Sequence, residues 1–430
     1  MTLGQLPRTI RGAFRTVTTR PASLYERNAR NVMIDGMGVG LVTGVATFLS
    51  VFLIRLGASN LQVGLLTAMP AVTGALLAIP IGDFIQRRSN IILWYARSRL
   101  WVLSSYALTG LIPFVAGNRT IAAIIVIWAL ATLPQTMVNL TFTLVMSAVA
   151  GPEKRMALMS RRWTTLGVVN ALSVALVGWT LDRMRFPINY QAVFVASFLG
   201  GLLSYYFSTS IVLPEGGHVP SGERRRWYAA FTGMRRTLAA QRAFSRFVAA
   251  QFVYRCGMSM AIPLFPLYWV RIAQASDASI GLINTVSSGV LMIAYALWIA
   301  ASRRRGERWV LLVCGAGLAL YPVLVAFSGE VWQLVLLGGM AGIFVAGADL
   351  VLFDLLIATC SPELRGPSVG LYHTTSYIAT FAAPLIATAA ADRVGIIPML
   401  LVAAGLRAAG TVLFLLLGIG REVDASVGVG

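Results

Sequence analysis

Long apolar runs, separated by short polar breaks rich in arginine, fill most of this chain. A helix needs about 20 apolar residues to cross a hydrocarbon layer ~30 Å thick. A window of that length finds twelve runs, at roughly 32–55, 60–82, 91–115, 120–149, 164–182, 189–212, 246–271, 279–301, 308–328, 331–358, 369–391 and 395–420. Gly and other small residues recur inside them, as suits helices packed closely in lipid. The pattern predicts an all-α integral membrane fold. It has a basic tail (1–31), a six-helix bundle (32–212), a linker (213–245), a second six-helix bundle (246–420) and a short tail (421–430).

The polar breaks repeat. Residues 151–163, "GPEKRMALMSRRW", are echoed at 361–373 by "SPELRGPSVGLYH". Residues 151–184 laid on 361–394 without a gap share seven identities in 34 positions, where chance gives about two. A second block repeats at an offset of 217, "GASNLQVGLL" (57–66) against "QASDASIGLI" (274–283). The basic breaks "QRRSN" (86–90) and "RRRGE" (303–307) follow at the same offset. Six spans is an even number, so the halves read as parallel repeats with the same in–out sense.

Charge sets the orientation. With the amino terminus inside, the inner segments hold 25 Lys plus Arg against six outside. The positive-inside bias then predicts that both termini are cytoplasmic, in a cell membrane of bacterial inner-membrane type. The linker stretch "ERRRWYAAFTGMRRTLAAQRAF" sets Trp227, Phe231 and Met234 among arginines, and reads as an interfacial helix drawn to an anionic inner leaflet. A nucleic-acid role for that cluster is the competing reading; the confinement of charge to loops argues against it. Residues 1–31 carry no apolar core, which excludes a secretory signal; a cytoplasmic basic tail or an organellar transit peptide explains their charge.

These observations resemble the major facilitator superfamily along the whole length. That superfamily's loop motif after the second span has Gly, an Asp-Arg pair, Gly and basic residues. "GDFIQRRSN" (82–90) matches at Gly82 and Arg87 and continues with Arg88, but has Gln86 in place of the Asp and Ser89 in place of the second Gly, its acid coming early at Asp83. Arg304 stands at the repeat-equivalent of Arg87, and the hinges Pro152–Arg155 and Pro362–Arg365 match well. The resemblance implies two bundles clamped on the cytoplasmic side through such loops, with spans 1, 4, 7 and 10 lining a central cavity.

Composition adds exclusions. The chain is 57% hydrophobic and 12% charged with mean hydropathy +0.75, too apolar for a soluble domain to cover itself with polar surface. Its +19 net charge comes almost wholly from 34 Arg against one Lys, Lys154. Two His and three scattered Cys leave no metal cluster, no disulfide framework and no cofactor motif, and no nucleophile motif suggests an enzyme. There is no ATP-binding P-loop, so energy would come from a gradient.

Ionisable groups inside a membrane are costly and mark cavities or partners. Span 1 has Asp35, span 4 Gln135 and Asn139, span 7 Arg255, and span 10 Asp349 and Asp354. Counting ~1.5 Å per residue from span midpoints puts Arg255 and Asp349 at about the same depth, which predicts an ion pair between them. Asp35 and Asp354 are candidates for proton coupling, because a low-dielectric cavity favours proton uptake by a carboxylate; hydration at the inner interface is the alternative. Asn139 is either a cavity contact or an interhelical hydrogen-bonding group. Arg97 and Arg99 read as snorkelling, and Arg407, near mid-membrane, calls for a partner.

The function expected is secondary transport of small organic solutes by alternating access, in a monomer, with proton-coupled export of amphipathic or drug-like compounds. Acids in an aromatic cavity suit organic cations. The resemblance associates exporters with a Gly-Pro motif in the fifth span, whereas "LGVVNALSVALVG" (166–178) has no Pro. The alternative is uptake of a sugar or organic anion by proton symport, with Arg255 as the anion contact. A non-transporting ligand sensor is the third reading.

Overall fold

The computed structural model describes residues 21–213, 241–360 and 365–420, apart from 22, 87 and 89. Of the expected linker (213–245), residues 214–240, with most of the interfacial stretch, lie outside the described residues, as does the tail 421–430; from Arg242 the linker's end is already part of the next helix. The described chain is helical throughout: α1 (Leu24–Ala46), α2 (Leu49–Arg55), α3 (Asn60–Gln86), α4 (Ile91–Leu111), the single turn α5 (Pro113–Ala116), α6 (Thr120–Arg183), α7 (Ile188–Thr209), α8 (Arg242–Arg271), α9 (Asp277–Arg305), α10 (Glu307–Ala326), α11 (Val331–Thr359), α12 (Arg365–Val394) and α13 (Ile396–Leu416). Eleven stretches among the described residues are long and apolar enough to cross a membrane. The remaining expected span is α4, a complete 21-residue helix whose hydropathy is diluted by Arg97 and Arg99. This is a multi-pass membrane protein.

Local chemistry sets the helix ends. The Ser23 hydroxyl accepts from the Glu26 N–H at 3.2 Å, the Asn90 side chain from Leu93 N–H at 3.0 Å and Ser276 from Ser279 N–H at 3.2 Å, so three amino termini have capping oxygens. Expected spans 4 and 5 run on as the 64-residue α6, broken at Gly151. There φ is +60° and ψ 179°, a conformation open to glycine and closed to residues with a Cβ, and Pro152 follows. The repeated "GPEKR" break is thus the corner between two spans.

The helices form two compact units. The first comprises the described residues of 1–52 and 76–223, with α1 packed on α6 and α7, and α4 on both of those. The α1 face Gly36, Gly40, Gly44 meets α6 so closely that a Cβ at Gly40 would lie 2.7 Å from the Leu166 carbonyl oxygen, and one at Gly44 2.5 Å from Ser173 Oγ. Small residues here let two backbones touch.

The second unit comprises 53–75 and the described residues from 241 onward, with α8 on α12 and α13, α9 on α11, and α10 on α11 and α13. Residues 53–75 therefore pack with the second unit, although the expected bundle boundary puts them in the first. Their attachment is reciprocal. Arg55 donates to Asp277 Oδ1 at 2.8 Å and to the Ala275 carbonyl at 2.9 Å. Arg271 donates to Asn60 Oδ1 at 2.7 Å and to the Ala58 carbonyl. Ala58 and Ala275, and Asn60 and Asp277, are the very positions related by the 217-residue offset. Each arginine closes on the other copy of one loop motif, and Asn60 also donates to Asp392 at 2.8 Å.

Candidate functional site

The glycine face of α1 brings Asp35 to the centre of the first unit. Asp35 is 1% exposed. Its Oδ2 takes a hydrogen bond from Arg162 Nη2 at 3.0 Å and one from Tyr95 at 3.3 Å. Its Oδ1 accepts from Ser204 at 2.6 Å and lies 3.6 Å from Arg99 Nη1. Arg99 also donates to Ser204 at 3.2 Å and to the Tyr95 hydroxyl. Four helices, α1, α4, α6 and α7, thus meet on one carboxylate. Arg99 does not snorkel to an interface: it is buried, because Asp35 and Tyr95 supply inside the bundle what water would supply outside.

Two guanidiniums face one carboxylate, so the network holds a net positive charge among the described residues. Both arginines, but not Asp35, line a cavity of about 260 Å³. The Nε of each is buried without a hydrogen-bond partner among the described residues. Arg162 also lies 4.2 Å above the Phe142 ring, a cation–π contact that holds its plane at the cavity wall. Val39, Val42, Leu103, Val138, Trp163 and Leu166 make the rest of the wall mainly apolar. Thr43, Gln135 and Asn139 are the exposed polar members, the last two joined by a 3.0 Å hydrogen bond from Gln135 Nε2 to Asn139 Oδ1. The sequence reading missed Arg162, counting it with the loop cations, and missed Tyr95 and Ser204.

In the second unit Arg255 and Asp349 line one water-sized cavity of about 20 Å³ with Gln251, Tyr254 and Met258. The expected ion pair is not formed: among the described residues no nitrogen of Arg255 reaches an Asp349 oxygen at salt-bridge distance, and Arg255 Nε is unpartnered. The cavity lies between the half-buried guanidinium and the exposed carboxylate, and equal depth along two helices did not bring their tips together. Asp354 is exposed on α11 and lines neither cavity. Arg407 is buried with backbone partners, donating from Nη1 to the Leu318 carbonyl at 2.8 Å and from Nε to Gly257 at 3.1 Å. Leu318 stands four residues before Pro322, which has no N–H to give it. The mid-membrane arginine caps a carbonyl that a proline leaves free.

The loop-motif residues are less fully seen. Gly82 and Asp83 fall in the last turns of α3, and Pro152 and Arg155 in α6 just after its break, with their side chains outside the description. Arg365 opens α12 in the same way, and Arg87 and Pro362 lie outside the described residues. Arg88 is exposed and sits over the Phe84 ring at 4.5 Å, and Arg304 is exposed at the end of α9.

Comparison with known proteins agrees with the fold. The sequence profile described as Major Facilitator Superfamily matches residues 247–427. Over 158 residues the chain is 29% identical to "Multidrug resistance protein MdtG" of Proteus mirabilis (strain HI4320), covering 36% of this chain and 39% of that protein. Over 159 residues it is 28% identical to the protein of the same name from Serratia proteamaculans (strain 568), covering 36% and 38%. The matches thus span well under half the length of these relatives. The nucleoside transporter NupG has a similar solved structure (TM-score 0.69, 11% identity, covering 91% of this chain and 98% of that one). So has the xylose transporter XylE from E. coli in an inward-open conformation (TM-score 0.64, 11% identity, 91% and 94%). Residues 247–427 are thus similar to the major facilitator superfamily in sequence, and the chain shares its fold with these transporters.

Proposed function

We propose that this protein is a secondary transporter that exports small amphipathic organic molecules by alternating access, driven by protons. The observation that carries this reading is the first unit's cavity, with a mainly apolar, partly aromatic wall, an amide pair and two arginine edges. Such a surface holds molecules with an apolar body through area, and orients them through a few polar contacts. The name of the MdtG relatives, multidrug resistance protein, supports export. The superfamily's transport role favours a carrier over an enzyme or a sensor.

Asp349 and Asp354, exposed on α11, are the carboxylates proposed to handle protons. Asp35 is given a different part, that of counter-ion to Arg99 and Arg162. The protein would act in a cell membrane with its basic loops on the cytoplasmic side. Uptake of an organic anion by symport is the second reading, favoured by the unpartnered Nε of Arg255 beside Asp349.

Flux in proteoliposomes tests the proposal. A panel of amphipathic solutes is loaded and a pH gradient imposed in either sense. Accumulation against the solute gradient in exchange for protons is expected, together with counterflow at zero gradient. Binding without counterflow would mark a sensor, and accumulation in the same direction as protons would mark a symporter.

A further inference from the structure

We infer that the cavity of the first unit selects organic anions: it takes the carboxylate of an amphipathic acid on Arg162 and Arg99 and the apolar body against Val39, Phe142 and Trp163. The inference rests on that cavity being the cargo site. It reverses the cation preference suggested by a count of acidic residues.

The charge balance decides the sign. Asp35 is the carboxylate within reach of either guanidinium among the described residues, and it neutralises one charge of two. Its oxygens are already engaged by Tyr95, Ser204 and Arg162 and it does not line the cavity, so an arriving cation would meet guanidiniums first. The donors point the same way. Arg162 gives Nη2 to Asp35 and Arg99 gives Nη1 to Ser204 and Nη2 to Tyr95, while both guanidiniums line the cavity. Arg162 is 3% exposed. A guanidinium on a low-dielectric cavity wall suits a carboxylate, through its charge and its planar donors. Asn139, also in the cavity lining, keeps its Nδ2 donor while its Oδ1 is taken by Gln135. A mainly apolar cavity with two guanidiniums on its wall fits an acid with a hydrophobic body.

Three ligands of one shape test this: 2-naphthoate, 2-naphthalenemethanol and 2-naphthylmethylammonium, titrated calorimetrically into the full-length protein in detergent. The expected order is naphthoate first, with the ammonium weaker by about tenfold or more, the scale of one charge-assisted hydrogen bond. Arg162→Gln should weaken naphthoate by about tenfold while moving the alcohol by less than about twofold. Asn139→Asp, at an exposed position that makes few demands on folding, should weaken naphthoate and strengthen the ammonium, and it decides the matter if Arg162→Gln does not fold. Tightest binding by the ammonium, or losses shared equally by all three ligands in both variants, would overturn the inference. Naphthoate flux in proteoliposomes is scored separately. Selective binding without flux keeps the anion site and sinks the transporter reading; flux of other solutes with no naphthoate preference does the reverse.

Discussion

Asp35→Asn is the substitution on which the central network makes its sharpest demand. The native carboxylate holds Arg162 at 3.0 Å, Arg99 at 3.6 Å, Ser204 at 2.6 Å and Tyr95 at 3.3 Å. Asparagine keeps the shape, loses the charge and turns one acceptor into an NH₂ group facing guanidiniums that can only donate. Removing one partner of a buried ion pair costs about 3–5 kcal/mol, because the other charge stays behind uncompensated. Total stabilities lie in the range of about 5–15 kcal/mol, so the loss is a large share. Arg162→Gln in the same chain returns the network to a single positive charge, that of Arg99, as in the wild type. The double variant still leaves Arg99 buried without a carboxylate, so it should recover only part of the loss, but its cost should fall below the sum of the two single losses by about 1 kcal/mol or more. SDS-titrated unfolding in mixed micelles reads all four corners of the cycle. Asp35→Asn within about 1 kcal/mol of wild type, or strictly additive losses, would mean that the triad is not the electrostatic unit its geometry describes.

Other positions give further tests. Gly44→Val would drive a side chain into Ser173, where even a Cβ lies 2.5 Å from Oγ; a loss of about 1–3 kcal/mol is expected in the same unfolding assay, with Gly405→Val, a helical position whose Cβ has open space around it, as the comparison for crowding. Arg407→Leu should cost about 1–3 kcal/mol by leaving the Leu318 carbonyl unpaired, and adding Pro322→Ala, which supplies the missing N–H, should recover much of it. Arg55→Gln and Arg271→Gln each break one arm of the reciprocal clasp, so protease or thiol-probe access to 53–60 should rise in either and most in both, and unchanged access in the double variant would refute it. Asp349→Asn should leave naphthoate binding within about twofold while abolishing the dependence of flux on the pH gradient; intact coupling would remove Asp349 from proton handling.

Hydropathy made the helices legible because lipid imposes one requirement, about 20 apolar residues with their backbone groups paired internally, that neither neighbours nor loops can override. It was weakest at α4, where Arg97 and Arg99 lower the average although the helix is whole. The Gly-Pro break at 151–152 was legible as a corner because glycine and proline act locally. Partners were harder. Asp35 stood out, yet Arg99 read as snorkelling and Arg162 as a loop cation, since depth counted along each span ignores both the reach of an arginine and the stagger of neighbouring helices. The same approximation paired Arg255 with Asp349, whose tips stay apart. Arg407 had a signal that was not combined with it: Pro322 frees the Leu318 carbonyl, and only the packing of α10 on α13 brings the two together.

The sign of a cavity shows most clearly why an inventory of charges along a sequence misleads. Asp35, Asp349 and Asp354 count alike in the chain, as three acids in apolar helices, and together they suggest a site for cations. In space they differ. Asp35 is spent on two arginines and hidden behind them, so its presence is what permits a positively charged cavity wall at all: without a counter-ion, two buried guanidiniums would face a desolvation cost that their contacts with Tyr95 and Phe142 do not offset. Asp349 and Asp354 remain exposed, free of such duty. An acid in the sequence thus becomes, through one set of helix contacts, the support for an anion site. In the proposed reading Asp35 supports binding by holding the arginines while Asp349 and Asp354 handle protons, and substitutions can separate the two parts.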